Sequence, residues 1–154
     1  MVYVTVSSAA LHAIRTDVAA AGLREACGLL LGEGTRVTAA LPCRNAAADP
    51  HRRFEIDPTA LLAAHRAARA GGPAILGHYH SHPGGSPVPS ARDAADAAED
   101  GALWLIVGTA EARLWRAVAG GAVENRFDPV ACDPLPCTAG AAVPQGPPFK
   151  RMPE

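Results

Sequence analysis

Gly77-His78-Tyr79-His80-Ser81-His82-Pro83, with Ser90 and Asp93 shortly beyond, concentrates three of the chain's six histidines at alternate positions. In an extended strand alternate side chains point the same way, so His80 and His82 present their imidazoles to one point in space. Neutral imidazole is the commonest metal ligand. Asp93, separated from His82 by ten residues, adds a carboxylate. Three protein ligands leave a fourth tetrahedral position for water, as in catalytic zinc sites, whereas structural sites are closed by four. His78 shares the same face and qualifies as a ligand by geometry alone.

The segments on either side give this stretch its setting. Val2 to Val6 reads as a first strand. A helix capped by Ser7 or Ser8 carries Ala10, Leu11, Ile14, Val18 and Ala21 on one stripe and stops at Gly22. Ala26 to Leu31 is an apolar run typical of an interior strand. Glu33-Gly34 turns the chain into a returning strand over Arg36 to Leu41. Pro42 to Arg53 is a polar loop, and His51 is a solvated loop histidine. Asp57-Pro58 starts a helix that runs to about Ala70 and buries Leu61, Leu62 and Ala68. His65 in that helix is partly exposed. Pro73 to His80 is the next strand, with Ile75 and Leu76 in the core. Gly77 leaves room for close backbone approach. Pro83 to Pro89 is a loop by composition, and a helix runs from Ser90 through Ala98. Leu103 to Val107, Ala112 to Val118 and Ala122 to Phe127 read as strands. From Asp128 onward the character changes, with seven of the chain's fourteen prolines. The expected organisation is a domain over residues 1–127 and a Pro/Gly-rich tail over 128–154 that makes no core of its own.

The spacing His80-Ser81-His82, seven residues, Ser90, two residues, Asp93 resembles the signature of the JAMM (JAB/MPN domain) zinc metalloproteases of the compact prokaryotic type. That family also uses a glutamate well upstream beside a Cys-Gly-Leu run. Glu25-Ala26-Cys27-Gly28-Leu29-Leu30-Leu31-Gly32 fits it. Asn45 and Phe54-Glu55-Ile56-Asp57-Pro58 resemble the family's linking segment, so the resemblance covers roughly residues 2–127. It implies an α/β fold of the α+β type: an MPN/JAB-like central curved mixed β-sheet flanked by helices, with cytidine-deaminase-like layering. It implies one Zn2+ per chain on His80, His82 and Asp93, with Glu25 as catalytic base and Ser90 as donor to the developing oxyanion. His78, Ser81 and Pro83 then stand behind the ligands or along the substrate groove. The implied reaction is amide or isopeptide hydrolysis after the C-terminal glycine of a ubiquitin-like or sulfur-carrier protein. The substrate's tail would add as a strand along a sheet edge. The resemblance also leaves room for a homodimer.

Each of these residues has a blander reading. Ser90-x-x-Asp93 is also a capping box, and both roles can hold together. Glu25 alone is an ordinary strand-edge charge, and becomes a base only through the resemblance. Cys27 reads as a small buried hydrophobe and not as the nucleophile of a Cys-His protease. Other His-x-His families fit worse. Metallo-β-lactamase-like hydrolases want Asp and His where Gly84 and Gly85 stand. Amidohydrolases use a (β/α)8 barrel of typically ~250 residues. Cupins are all-β. Zinc deaminases need His-x-Glu and Pro-Cys-x-x-Cys. Two function classes remain beside the deconjugating peptidase: a non-catalytic MPN-type scaffold, and a peptidase of small peptides.

Composition narrows the field. At 154 residues the chain is one domain with a real core. A net charge of −1 and 5% aromatics speak against a nucleic-acid binder. No apolar run approaches the ~20 residues of a membrane span. The N-terminus has no basic n-region, so no signal peptide is expected and the cytoplasm is the default location. Cys27, Cys43, Cys132 and Cys137 form no Cys-x-x-Cys pair and are expected as reduced thiols.

Overall fold

The structure, a computed structural model, describes residues 3–133 and 137–138. The elements are β1 (Tyr3–Val6), α1 (Ser8–Ala21), β2 (Cys27–Glu33), β3 (Arg36–Cys43), α2 (Pro58–Arg69), β4 (Ala74–Ser81), α3 (Ala91–Asp96), β5 (Leu103–Val107), β6 (Glu111–Ala117), β7 (Phe127–Pro129), β8 (Ala131–Asp133) and β9 (Cys137–Thr138). They form one mixed sheet in the order β7-β6-β5-β4-β2-β3-β1-β8, with β9 against β6. β7 and β8 lie at opposite ends of that order, yet only Val130 separates them in the chain. Consecutive Cα atoms are about 3.8 Å apart, so the two ends of the sheet must meet. The sheet is therefore curved almost into a closed barrel, the architecture expected of an α+β JAB-like fold.

Alternation within β5 divides the interior in two. Leu103, Leu105 and Val107 face a core shared with Leu11 and Ile14 of α1, Val37 and Tyr79. Trp104 and Ile106 face a second core with Trp115, Ala117 and Phe127. α1 forms where its sequence signals place it. The Ser7 hydroxyl accepts from the Ala10 N–H at 3.1 Å, and Gly22 ends the helix at φ 62°. That positive φ is the left-handed conformation glycine supplies without steric cost. Burying Leu11 and Ile14 contributes roughly 1.5–3 kcal/mol each.

Four local expectations need correction. α2 begins with the predicted Asp57 cap and Pro58, but buries only Ala64; Leu62 is 49% exposed. The helix stands off the sheet, and a cavity of about 500 Å³ between them is lined by Leu61, Ile75, Leu76 and His78. This is why Ile75 and Leu76 are only half-buried. α3 is shorter than expected because Ala97 turns extended, ψ 136°, and packs into the second core. The strand expected over Ala122 to Phe127 is a turn, with Glu124 and Asn125 both left-handed at φ 54° and 56°. The tail expected from residue 128 begins later: β7 and β8 continue the sheet, with Phe127 and Cys132 buried and Val130 packed on the first core. Most of the remaining tail lies outside the described residues.

Gly77 sits opposite Leu103 of β5, where the neighbouring backbone leaves no room for a side chain. A Cβ at this position would run into the backbone of Leu103, which no side-chain rearrangement can relieve. Gly77→Ala is expected to destabilise the protein by about 1–3 kcal/mol as an overpacked site, read as a lower midpoint in urea.

Candidate metal centre

The pairing of β2 with β4 builds the site. The register sets Cys27 opposite His80, so Glu25, just upstream of β2, arrives beside the histidine pair. Ser81 fastens this junction. Its Oγ accepts from the Ala26 N–H at 2.8 Å, and its own N–H donates to the Ala26 carbonyl at 3.0 Å. The Glu25 backbone is held from the other side as well. Its N–H donates to the Pro50 carbonyl at 2.7 Å, and its carbonyl accepts from Asn45 Nδ2 at 3.0 Å. Asn45 also accepts at Oδ1 from the Ala47 and Glu55 N–H groups, which ties the irregular 45–55 segment into a platform for the glutamate. β2 and β4 are both interior strands, so neither offers the free sheet edge expected for strand addition of a substrate tail.

His80 Nε2 and His82 Nε2 face each other at 3.0 Å. The Asp93 carboxylate spans the pair, with Oδ1 3.2 Å from His80 Nε2 and Oδ2 3.1 Å from His82 Nε2. His82 Nδ1 lies 2.9 Å from the Ser86 carbonyl, so the proton sits on Nδ1 and the Nε2 lone pair points inward. Two imidazole lone pairs cannot face each other at 3.0 Å unless a proton or a cation lies between them. Two Nε2 atoms and a carboxylate oxygen within 4.8 Å of one another can hold a metal ion. An N2O donor set with a carboxylate suits zinc, and equally other divalent first-row metals.

The surroundings favour this charge arrangement. His80 is fully buried, Asp93 is 4% exposed and Glu25 is 8% exposed. Burial alone would raise the Asp93 carboxyl, but hydrogen bonds to His80 and His82 hold it well below the usual carboxylate range. Burial pushes His80 down. It presses on His82 too, but Asp93 and the Ser86 carbonyl outweigh it and the net shift is upward. Glu25 is pushed up to about 7 by burial, with His82 opposing and Asp93 adding to the shift. A carboxyl so placed exchanges a proton near neutral pH.

His78 is not brought into the cluster. Its ring packs against Trp104 at 4.3 Å and Phe54 at 5.4 Å, and burial pushes it down to about 3. It is a neutral packing residue. Pro83 lies at the start of the loop that follows the histidines. Ser90 fulfils the capping box completely: its Oγ accepts from the Asp93 N–H at 3.1 Å, and its N–H donates to Asp93 Oδ2 at 2.9 Å. The cap therefore also fixes the carboxylate. Cys27 is inert, its thiol pushed up to about 12 by burial. Two contributors had no individual signal in the sequence: Phe54, which stacks on the His80 ring at 4.3 Å, and the Ser86 carbonyl.

A family model described as prokaryotic homologs of the JAB domain matches residues 7–118. The chain belongs to this family. A desampylase of Haloferax volcanii is 42% identical over 84 residues, 53% of this chain and 60% of that protein. A probable TtuB-protein conjugate cleaving protease of Thermus thermophilus is 38% identical over 74 residues, 48% of this chain and 49% of that protein. The match thus spans between about half and three fifths of these curated relatives. The solved structure of a JAB1/MPN domain protein from Archaeoglobus fulgidus matches with a TM-score of 0.53 at 15% identity, covering 86% of this chain and 99% of that one, and shows the shared fold. No helix among the described residues of this JAB-family chain is long and apolar enough to cross a membrane.

Adding Zn2+ to the metal-free protein is expected to raise its melting temperature, since a ligand at 100 times its Kd stabilises by about 2.7 kcal/mol. His82→Ala abolishes that rise and the bound metal measured by mass spectrometry. Asp93→Ala abolishes both and lowers the metal-free melting temperature as well, because the Ser90 N–H loses its acceptor in the capping box, about 1 kcal/mol.

Proposed function

We propose that this chain is a zinc metallopeptidase. It hydrolyses the amide or isopeptide bond after the C-terminal glycine of a ubiquitin-like or sulfur-carrier protein, and works in the cytoplasm. The observation that carries the reading is the convergence of His80, His82 and Asp93, with a buried glutamate poised near neutrality beside them. Relatives named for desampylation and for conjugate cleavage support the substrate class.

His80, His82 and Asp93 would hold one zinc ion, which supplies an activated water nucleophile and polarises the scissile carbonyl. Glu25 accepts the proton released as attack begins and delivers it to the leaving amine. Burial raises its proton affinity toward neutrality, so it can both take up and give back a proton. Ser90 keeps a free hydroxyl hydrogen while its oxygen accepts from the Asp93 N–H, so it can donate to the developing oxyanion. Asn45 and Ser81 hold Glu25 in place through its backbone and that of Ala26.

The deciding experiment incubates the zinc-loaded protein with small Gly-Gly-ended ubiquitin-like proteins carrying a short C-terminal extension, read by intact mass. Loss of the extension after the glycines is expected. Glu25→Ala should keep its zinc and lose about 10²–10⁴-fold in turnover. Cleavage by that variant at the unmodified protein's rate, or no cleavage of any extension by the zinc-loaded protein, overturns the reading.

The pH dependence follows from Glu25. The base must be ionised, so kcat/KM should rise with pH through a limb at or below about 7, because a bound cation can only lower the metal-free value. Stability of the metal-free protein runs the opposite way. The folded-state value lies above the ordinary carboxylate value of 4.5, so the fold favours the protonated acid and loses that stabilisation as pH rises from about 4.5 to about 7. Glu25→Gln is expected to flatten this decline in metal-free melting temperature.

A further inference from the structure

The two imidazoles of the cluster are held differently. His80 Nδ1 is buried without a hydrogen-bond partner among the described residues, whereas His82 Nδ1 donates to the Ser86 carbonyl at 2.9 Å. An acceptor on the outer nitrogen fixes a ligand ring's orientation and raises its basicity. Whatever holds the Ser86 carbonyl in place therefore bears on the metal centre.

Local chain chemistry brings that carbonyl back to the ring. The Gly85 N–H donates to the His82 carbonyl at 2.9 Å, and Gly84 takes φ 73°. A proline at Pro83 followed by a positive φ is the pattern of a type II turn. The turn reverses the chain, so Ser86 returns to its own histidine. Ser86 precedes Pro87, which restricts it to extended backbone.

The returning loop is seated on the connection between β5 and β6. The His82 N–H donates to the Val107 carbonyl at 2.8 Å, and the Thr109 N–H to the Gly85 carbonyl at 2.8 Å. Gly108 lies between these two tethers. A Cβ there would come within 2.8 Å of the Ser86 carbonyl carbon and 2.7 Å of the Pro87 nitrogen, so the loop backbone rests where a side chain would stand. A further tether comes from a side chain. Trp115 of β6, 4% exposed in the second core, donates its indole N–H to the Pro87 carbonyl at 2.9 Å in a buried bond. That carbonyl is one peptide unit from the acceptor of His82. A buried carbonyl that loses its donor carries a desolvation penalty, so the loop would shift to relieve it.

We infer that Trp115 is a positioning residue for the metal centre: its indole N–H fixes the loop whose Ser86 carbonyl orients His82. The inference rests on the metal-binding reading of His80, His82 and Asp93. Gly108 serves the same loop as its flat seat. The second core thus does more than close the sheet; one of its aromatic rings sets the aim of a ligand.

The test uses the full chain and the variants Trp115→Phe, Gly108→Ala and Val4→Ala. Trp115→Phe keeps an aromatic ring and removes the donor. Val4→Ala truncates the first core, under α1, as a control for lost stability alone. Zinc Kd is measured by competition with a chromophoric chelator. In the zinc-loaded protein, solvent exchange of the His82 Nδ1 proton is followed by NMR. Trp115→Phe is expected to weaken zinc binding about tenfold, the lower end for partners that orient a ligand, and to speed exchange of that proton. Gly108→Ala should do the same by displacing the Ser86–Pro87 backbone. Val4→Ala should lower the melting temperature and leave both readouts unchanged. Unchanged zinc Kd and proton exchange in Trp115→Phe, or an equal loss of affinity in Val4→Ala, overturns the inference and leaves the metal reading intact. No zinc bound by the unmodified protein overturns both. Trp115-dependent zinc binding in a protein that cleaves no carrier extension supports the positioning role and counts against the peptidase reading instead.

Discussion

The pairing of β2 with β4 is the constraint on which the site depends. It brings a glutamate from early in the chain against two histidines from its middle, and the two hydrogen bonds between Ala26 and Ser81 lock that alignment. A slip of one residue would turn Glu25's neighbours, or the histidines, to the opposite face of the sheet. The register is protected because both faces of β4 and β5 are committed. Tyr79, Leu103, Leu105 and Val107 pack under α1, while Trp104 and Ile106 pack with Phe127. Any slip would drive leucines into the aromatic core and histidines into the aliphatic one.

Placing imidazoles and carboxylates inside such a core is electrostatically costly. The structure limits the cost by satisfying charge with charge. Asp93 is spanned by two histidines and held by the backbone of its own helix cap. For Glu25 the pull of His82 is outweighed by burial, and its raised proton affinity records that. The contrast separates the roles. Under the proposed function, the carboxylate that would ligate is kept ionised, and the one that would move protons is left poised.

Much of this was legible in the sequence, for a physical reason. His80, His82 and Asp93 lie close together in the chain, so strand alternation and one short loop suffice to relate them. Both helix caps at Ser7 and Asp57 are equally local signals. Glu25 carried no signal of its own; its meaning depends on a long-range register that only a family resemblance could supply. Asn45 and Phe54 act through contacts with distant backbone and rings, which no spacing encodes. The misreadings are of the same kind. Leu62 has the periodicity of a core residue, but nothing covers it. Ala122 to Phe127 alternates like a strand, yet the two left-handed residues at Glu124 and Asn125 fold it back on itself.

The near-closure of the sheet at Val130 bears on how the chain acquires its shape. β1 is flanked by β3 and by β8, elements separated from each other by almost the whole folded unit. During synthesis β1 can pair with β3 early, but its other edge stays bare until β8 has been made. Pairings of such wide sequence separation are slow, because loop-closure entropy must be spent before any contact rewards it. Until then the nascent protein carries an open strand edge beside an apolar core, a template for pairing with other chains. The barrel-like clasp that finishes the domain is thus also the point at which an unfinished one is vulnerable to aggregation.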